Sequence, residues 1–190
     1  MKKYGNDYRQ SGKQFEYTGK WYGTGLSQEE LKKHGILNTV LMTVALLVYF
    51  ASLMVNNAGS RIFWILLPYM VIVFPAAYGI MGGVSLVSFC RRQEGRGVRS
   101  QVIVPQEHAG HMTRAEYEKG IRRPARCSMA VVILALIASV TDLIFLVRGS
   151  GNFLINSELL FLAAAVMILI LGSVTAVQNW HVKAKFTIFS

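Results

Sequence analysis

Arg91–Arg126 reads RRQEGRGVRSQVIVPQEHAGHMTRAEYEKGIRRPAR. It holds eight arginines and Lys119 against Glu94, Glu107, Glu116 and Glu118. Long apolar runs flank it on both sides, with Cys90 and Cys127 at the borders. A basic segment between two pairs of apolar runs is a membrane topology, and the rest of the chain reads outward from it.

The composition agrees. The 190 residues are 53% hydrophobic and 16% charged, with mean hydropathy +0.38. A soluble domain of this length carries more surface charge, so a multispan membrane protein is expected. The net charge of +10 then serves topology and contact with anionic lipid headgroups, and no nucleic-acid partner is expected. The first apolar run opens only at Ile36, which reads against a signal peptide. The two cysteines have no CxxC spacing and read as ordinary buried thiols.

Five segments follow. Residues 1–35 form a basic, aromatic arm ending in a capped surface helix. Residues 36–89 form a first transmembrane hairpin, 90–126 the basic segment with its own capped helix, and 127–177 a second hairpin. Residues 178–190 are a strand-like tail. The fold class is an all-α membrane protein of four transmembrane helices in two antiparallel hairpins. Short juxtamembrane surface helices accompany them, with a small cytosolic β element drawn from residues near 15–22, 100–104 and 182–188.

Both surface helices carry the same start signal. In LSQEELKKHG, Ser27 is an N-cap with Glu30 three residues on, and Leu26 and Leu31 form a hydrophobic staple. In HMTRAEYEKG, Thr113, Glu116, Met112 and Tyr117 occupy the matching places. An internal duplication is one explanation of the likeness. Pro124 is expected to break the second surface helix from the span behind it.

The first span, Ile36 to Val55, is about 30 Å long. The second, Ile62 to Phe89, contains Pro68 and Pro75 and the small-residue spacing Gly79–Gly83. Close helix packing accounts for these four residues, and a gating or substrate-lining helix is the functional alternative. All but two of the twenty Lys and Arg lie in the arm, the basic segment and the tail; Arg61 and Arg148 sit in the short outer links. The positive-inside rule puts both termini in the cytosol, and a bacterial cytoplasmic membrane is the expected location.

Chemical signals are few. No GxSxG, P-loop, GxGxxG, HExxH or CxxC occurs, so the reading leans away from an enzyme. His108 and His111 lack the spacing that fixes a metal, and neither a metal nor a cofactor is expected. Asp142 is the one carboxylate deep in a span, about 8 Å from the outer end. With Arg148, Glu158, Arg61 and Asn156 it makes an outer polar cluster. Charge pairing explains that cluster at least cost, and an outward-facing cavity for a small ion is the alternative. Arg91, Arg92, Arg96, Arg122, Arg123 and Arg126, with Trp21 and Tyr22, are the candidates for cytosolic docking or lipid contact.

The leading expectation is therefore a non-enzymatic accessory or scaffold subunit of a membrane assembly, bound to a membrane-protein partner or to itself. A small homo-oligomeric transporter or channel, using the Asp142 region and the kinked second span, is the alternative. A membrane-bound enzyme comes third.

Overall fold

A computed structural model describes residues 7–11, 14–55, 61–94, 102–103, 110–148 and 155–189. The element order is β1 (Tyr8–Ser11), β2 (Gln14–Tyr17), β3 (Trp21–Thr24), α1 (Gln28–Leu53), α2 (Phe63–Val71), α3 (Val73–Glu94), β4 (Val102–Ile103), β5 (Met112–Thr113), α4 (Arg114–Tyr117), a π-helical turn (Glu118–Arg122), α5 (Arg123–Arg148), α6 (Ile155–Ala184) and β6 (Phe186–Phe189).

Four helical stretches are long and apolar enough to cross a membrane: Gln28–Leu53, Phe63–Glu94, Arg114–Arg148 and Ser157–Ala184. The shortest, of 26 residues, extends about 39 Å, more than a hydrocarbon core of about 30 Å. The chain is a multi-pass membrane protein with the expected fold class.

The principal contacts run α1–α3–α5–α6 and back to α1, with α2 against α5. Each helix buries one heptad-spaced stripe. In α1 it is Leu31, Gly35, Asn38, Met42, Ala45, Tyr49 and Ser52. In α6 it runs Glu158, Phe161, Ala165, Ile168, Gly172, Thr175, Asn179 and Val182. Alternating steps of three and four are the seam of a left-handed bundle. The buried stripe is rich in small and polar residues, whereas large apolar side chains such as Leu47 (63% exposed), Phe74 (64%) and Val177 (71%) face outward. Lipid is as apolar as Leu, so close backbone approach and hydrogen bonding order this interior.

The basic segment and both chain ends meet at one end of the bundle, called the basic end below. Leu31, Leu86, Phe89, Cys90, Met112, Ile121 and Val182 form a core there, with Tyr22, Leu26, Tyr117 and Phe186 against it. Both capping boxes form. Glu30 accepts from the Ser27 backbone at 2.8 Å, and Glu116 from the Thr113 backbone at 3.0 Å. Each capped turn continues directly into a span. Pro124 does not break the second: it is buried inside the continuous helix, and the π turn just before it takes up the mismatch in register.

The β elements differ from the expectation in detail. All three anticipated stretches supply strands, but they are divided between two sheets, ordered β1-β2-β4 and β5-β3-β6. β2 lies parallel to β4, and β3 lies antiparallel to both β5 and β6. The tail strand starts at Phe186 because α6 runs on through Ala184. Burying Val182 in the basic-end core outweighs the period-two pattern of residues 182–188.

Span two is broken where its prolines require. Pro68 lies inside α2. At Ile72 the backbone N–H reaches Tyr69 O at 3.3 Å, one residue closer than in an α-helix. Pro75 then falls third in α3, where its missing N–H coincides with the break. Gly79 and Gly83 let α1 approach. A methyl group on Gly79 would stand 3.3 Å from Met42 Cγ, and one on Gly83 would stand 2.7 Å from Gly35 O and press on Thr39 Oγ1.

Candidate functional site

Two buried polar groups occupy opposite ends of the bundle interior, separated by Met42, Ala45, Ile72, Ala76, Val131, Ala135, Ala165 and Ile168.

At the end opposite the basic end, Asp142 is fully buried. Neither of its carboxylate oxygens has a hydrogen-bond partner among the described residues. Glu158, in the first turns of α6, is 4% exposed, and its charge reaches Asp142. Tyr69 of α2 is also within electrostatic range of Asp142.

The neighbouring hydroxyls explain why Asp142 has no donor. Ser52 Oγ donates to Tyr49 O at 2.6 Å. Its single hydrogen is thereby used, so in the short Ser52–Tyr69 contact the phenol must be the donor. Ser139, one turn before Asp142 on the same face, donates to Ala135 O at 2.8 Å. Thr141 donates to Ile137 O at 2.8 Å. Each of these hydrogens goes elsewhere, and rings close the wall: Tyr69 stacks on Tyr49 at 5.0 Å and lies tilted against Phe161 at 4.7 Å.

The expected charge pairing is not found at Asp142: no ion pair among the described residues includes it. Arg148 ends α5 and Arg61 precedes α2, both exposed. Asn156 lies in the first turn of α6, its side chain outside the described residues.

At the basic end a second network joins all four spans. Asn38 donates to Gly79 O at 2.9 Å, Asn179 donates to Asn38 Oδ1 at 2.9 Å and to Ser128 Oγ at 3.3 Å, and His34 Nε2 meets Asn179 Oδ1 at 3.0 Å. Asn38, Ser128 and Asn179 are all buried.

The anticipated docking residues are spread over the surface of the same end. Arg91, Arg123 and Arg126 are exposed. Arg92 pairs with Glu116 at 3.3 Å and Arg122 with Glu118. Trp21 is only 5% exposed, edge-on to Tyr17 at 4.8 Å. Tyr22 stacks on Tyr117 at 4.2 Å. Trp21 thus packs β3 against β2, and Tyr22 ties β3 to α4. Arg96 and His108 lie outside the described residues. Among the described residues no cluster of three or more His, Cys, Asp or Glu could hold a metal.

Sequence reading missed Asn179 as the partner of Asn38, Ser128 and His34 as the further partners of Asn179, and Tyr69, Ser52 and Ser139 as the surroundings of Asp142. The available signal was the heptad stripe, on which His34 alone does not fall. No family model, curated protein or solved structure matches this chain.

Proposed function

We propose that the chain is a small ion-coupled membrane carrier whose bundle binds its coupling cation at Asp142. The observation that carries this reading is a fully buried carboxylate with no hydrogen-bond partner among the described residues, beside a second buried carboxylate. A carboxylate in that setting costs several kcal/mol unless a cation or proton joins it, and such residues mark ion pathways. The broken α2–α3 helix supports the same reading, because Tyr69 of α2 belongs to the surroundings of Asp142 and a half-helix can move against its neighbours. On this reading the basic end and both termini face the cytosol, as the positive-inside rule favours, the location is a bacterial cytoplasmic membrane, and Asp142 lies toward the outside. The exposed Arg91, Arg123 and Arg126 then meet anionic headgroups.

The test is charge movement across reconstituted membranes after a jump in pH, Na⁺ or K⁺. The wild type gives a transient displacement that Asp142→Asn abolishes. A silent wild type under all three jumps refutes the carrier.

A second reading, an accessory subunit of a membrane assembly, is favoured by β6. It is an edge strand with Ile188 61% and Phe189 43% exposed. A monomer without a membrane-protein partner after mild extraction from native membranes counts against it.

A further inference from the structure

We infer that the ligand of the Asp142 site is a proton, taken up from the side of the membrane opposite the basic end and held on an Asp142 carboxylate oxygen. This deepens the carrier reading and rests on it for its consequence in transport.

The argument is a count of available oxygens. A hard cation such as Ca²⁺ needs about six to eight oxygen ligands, and Mg²⁺ six. Among the described residues, the side chains around the site offer two carboxylates, Asp142 and Glu158, and a few hydroxyls whose hydrogens bond protein acceptors. Cation sites inside bundles commonly make up the number with carbonyls from unwound helix. Here α5 is helical through Asp142 to Arg148, and α6 is helical from Ile155 through Glu158. The carbonyls of Asp142 and Glu158 and of the turns before them are thereby committed to backbone hydrogen bonds, and at the α2–α3 break the Tyr69 carbonyl accepts from Ile72 N–H at 3.3 Å. No third His, Cys, Asp or Glu joins the pair among the described residues.

A proton makes no such demand. It forms one O–H bond on Asp142, arrives from solvent water and returns there, with no change of oxidation state. It also removes the negative charge that burial disfavours and the repulsion from Glu158. Among the described residues, the titratable groups that act on Asp142 are Glu158 on α6 and Tyr69 on α2, with Tyr49 on α1 stacked on Tyr69. The buried stripe of α3 holds no titratable side chain before Cys90, and Arg148 on α5 and Arg61 before α2 are exposed.

The experiment is infrared difference spectroscopy of the full chain in lipid, in light and heavy water. Titration of the wild type is expected to produce a protonated-carboxyl stretch that shifts on deuteration. Asp142→Asn loses that band, and Glu158→Gln keeps it with a moved midpoint. Jumps in Na⁺ or K⁺ at constant pH leave the spectrum unchanged. Circular dichroism and a monodisperse elution profile establish that each variant is folded, and Asp142→Glu serves as a second probe that retains a carboxyl. A band surviving in folded Asp142→Asn, or no band in the wild type, overturns the assignment. So does a wild-type spectrum that responds to Na⁺ or K⁺ at fixed pH. The two readings fail separately. Charge movement driven by Na⁺ or K⁺ at constant pH removes the proton and keeps the carrier. A titrating Asp142 without charge movement supports the proton and removes the carrier.

Discussion

Asn38 donates its amide hydrogen to the Gly79 carbonyl at 2.9 Å, and that one bond fixes the polarity of a chain reaching His34. A carbonyl can only accept, so Asn38 turns its Oδ1 toward Asn179. Asn179 must then present its NH₂ there, leaving its own Oδ1 for His34. His34 therefore carries its hydrogen on Nε2, and Nδ1 is its basic atom.

The direction of that chain makes its members non-additive. Asn38→Leu and Asn179→Leu each strand buried polar groups, with an expected cost of about 1–3 kcal/mol apiece. The double variant removes both amides together and should cost less than the sum, with a coupling of about 0.6–1.7 kcal/mol, the range seen between membrane helices. A double-mutant cycle of unfolding in mixed micelles measures it. Simple additivity would show that the two side chains act independently.

The two glycines of the small-residue motif should respond differently. Gly83→Ala forces a methyl group against Thr39, Gly35 O and Asn38, an overpacking of about 1–3 kcal/mol. Gly79→Ala meets only the flexible Met42 at 3.3 Å and should be near neutral. Thermal unfolding of the pair decides; equal losses would mean that helix spacing is not set at Gly83.

Tyr69 separates ring from hydroxyl. Tyr69→Ala deletes a fully buried ring packed between Tyr49 and Phe161, at about 3–5 kcal/mol. Tyr69→Phe removes only a donor to Ser52, which keeps its bond to Tyr49 O, so about 1 kcal/mol or less is expected. The same unfolding assay reports both, and a comparable loss from the two variants would place the stabilisation in the hydroxyl.

Depth can be read from tryptophan. Trp64 is 72% and Trp180 44% exposed, whereas Trp21 is buried. Lipids brominated high on their acyl chains should quench fluorescence in the wild type. Trp64→Phe and Trp180→Phe should each remove part of the quenching, and Trp21→Phe none. Quenching carried by Trp21 would put the β5-β3-β6 sheet in lipid and undo the span assignment.

The four spans, both capping boxes and the glycine packing were legible in the sequence because local chemistry fixes them. Ser27 with Glu30 and Thr113 with Glu116 satisfy backbone donors within four residues. The site was only half legible. Asp142 stands out in an apolar run, but its lack of partners depends on Ser52, Tyr69 and Ser139 being bonded elsewhere, which no spacing reveals. Asn179 was hidden for a different reason. The alternation of residues 182–188 places it in a tail beyond the span, whereas packing of Val182 extends the helix past it. Pro124 misled similarly, since a π turn next to Gly120 admits a proline without ending the helix.

β3 lies between β5 and β6, and its Gly23 carbonyl meets Thr187, 164 residues further along the chain. During synthesis at about 5–20 residues per second, β3 therefore waits roughly 8–30 s for that neighbour. All four spans have been translated by then. The sheet is a clasp fastened last, and for that interval β3 presents an open edge to whatever attends the nascent chain.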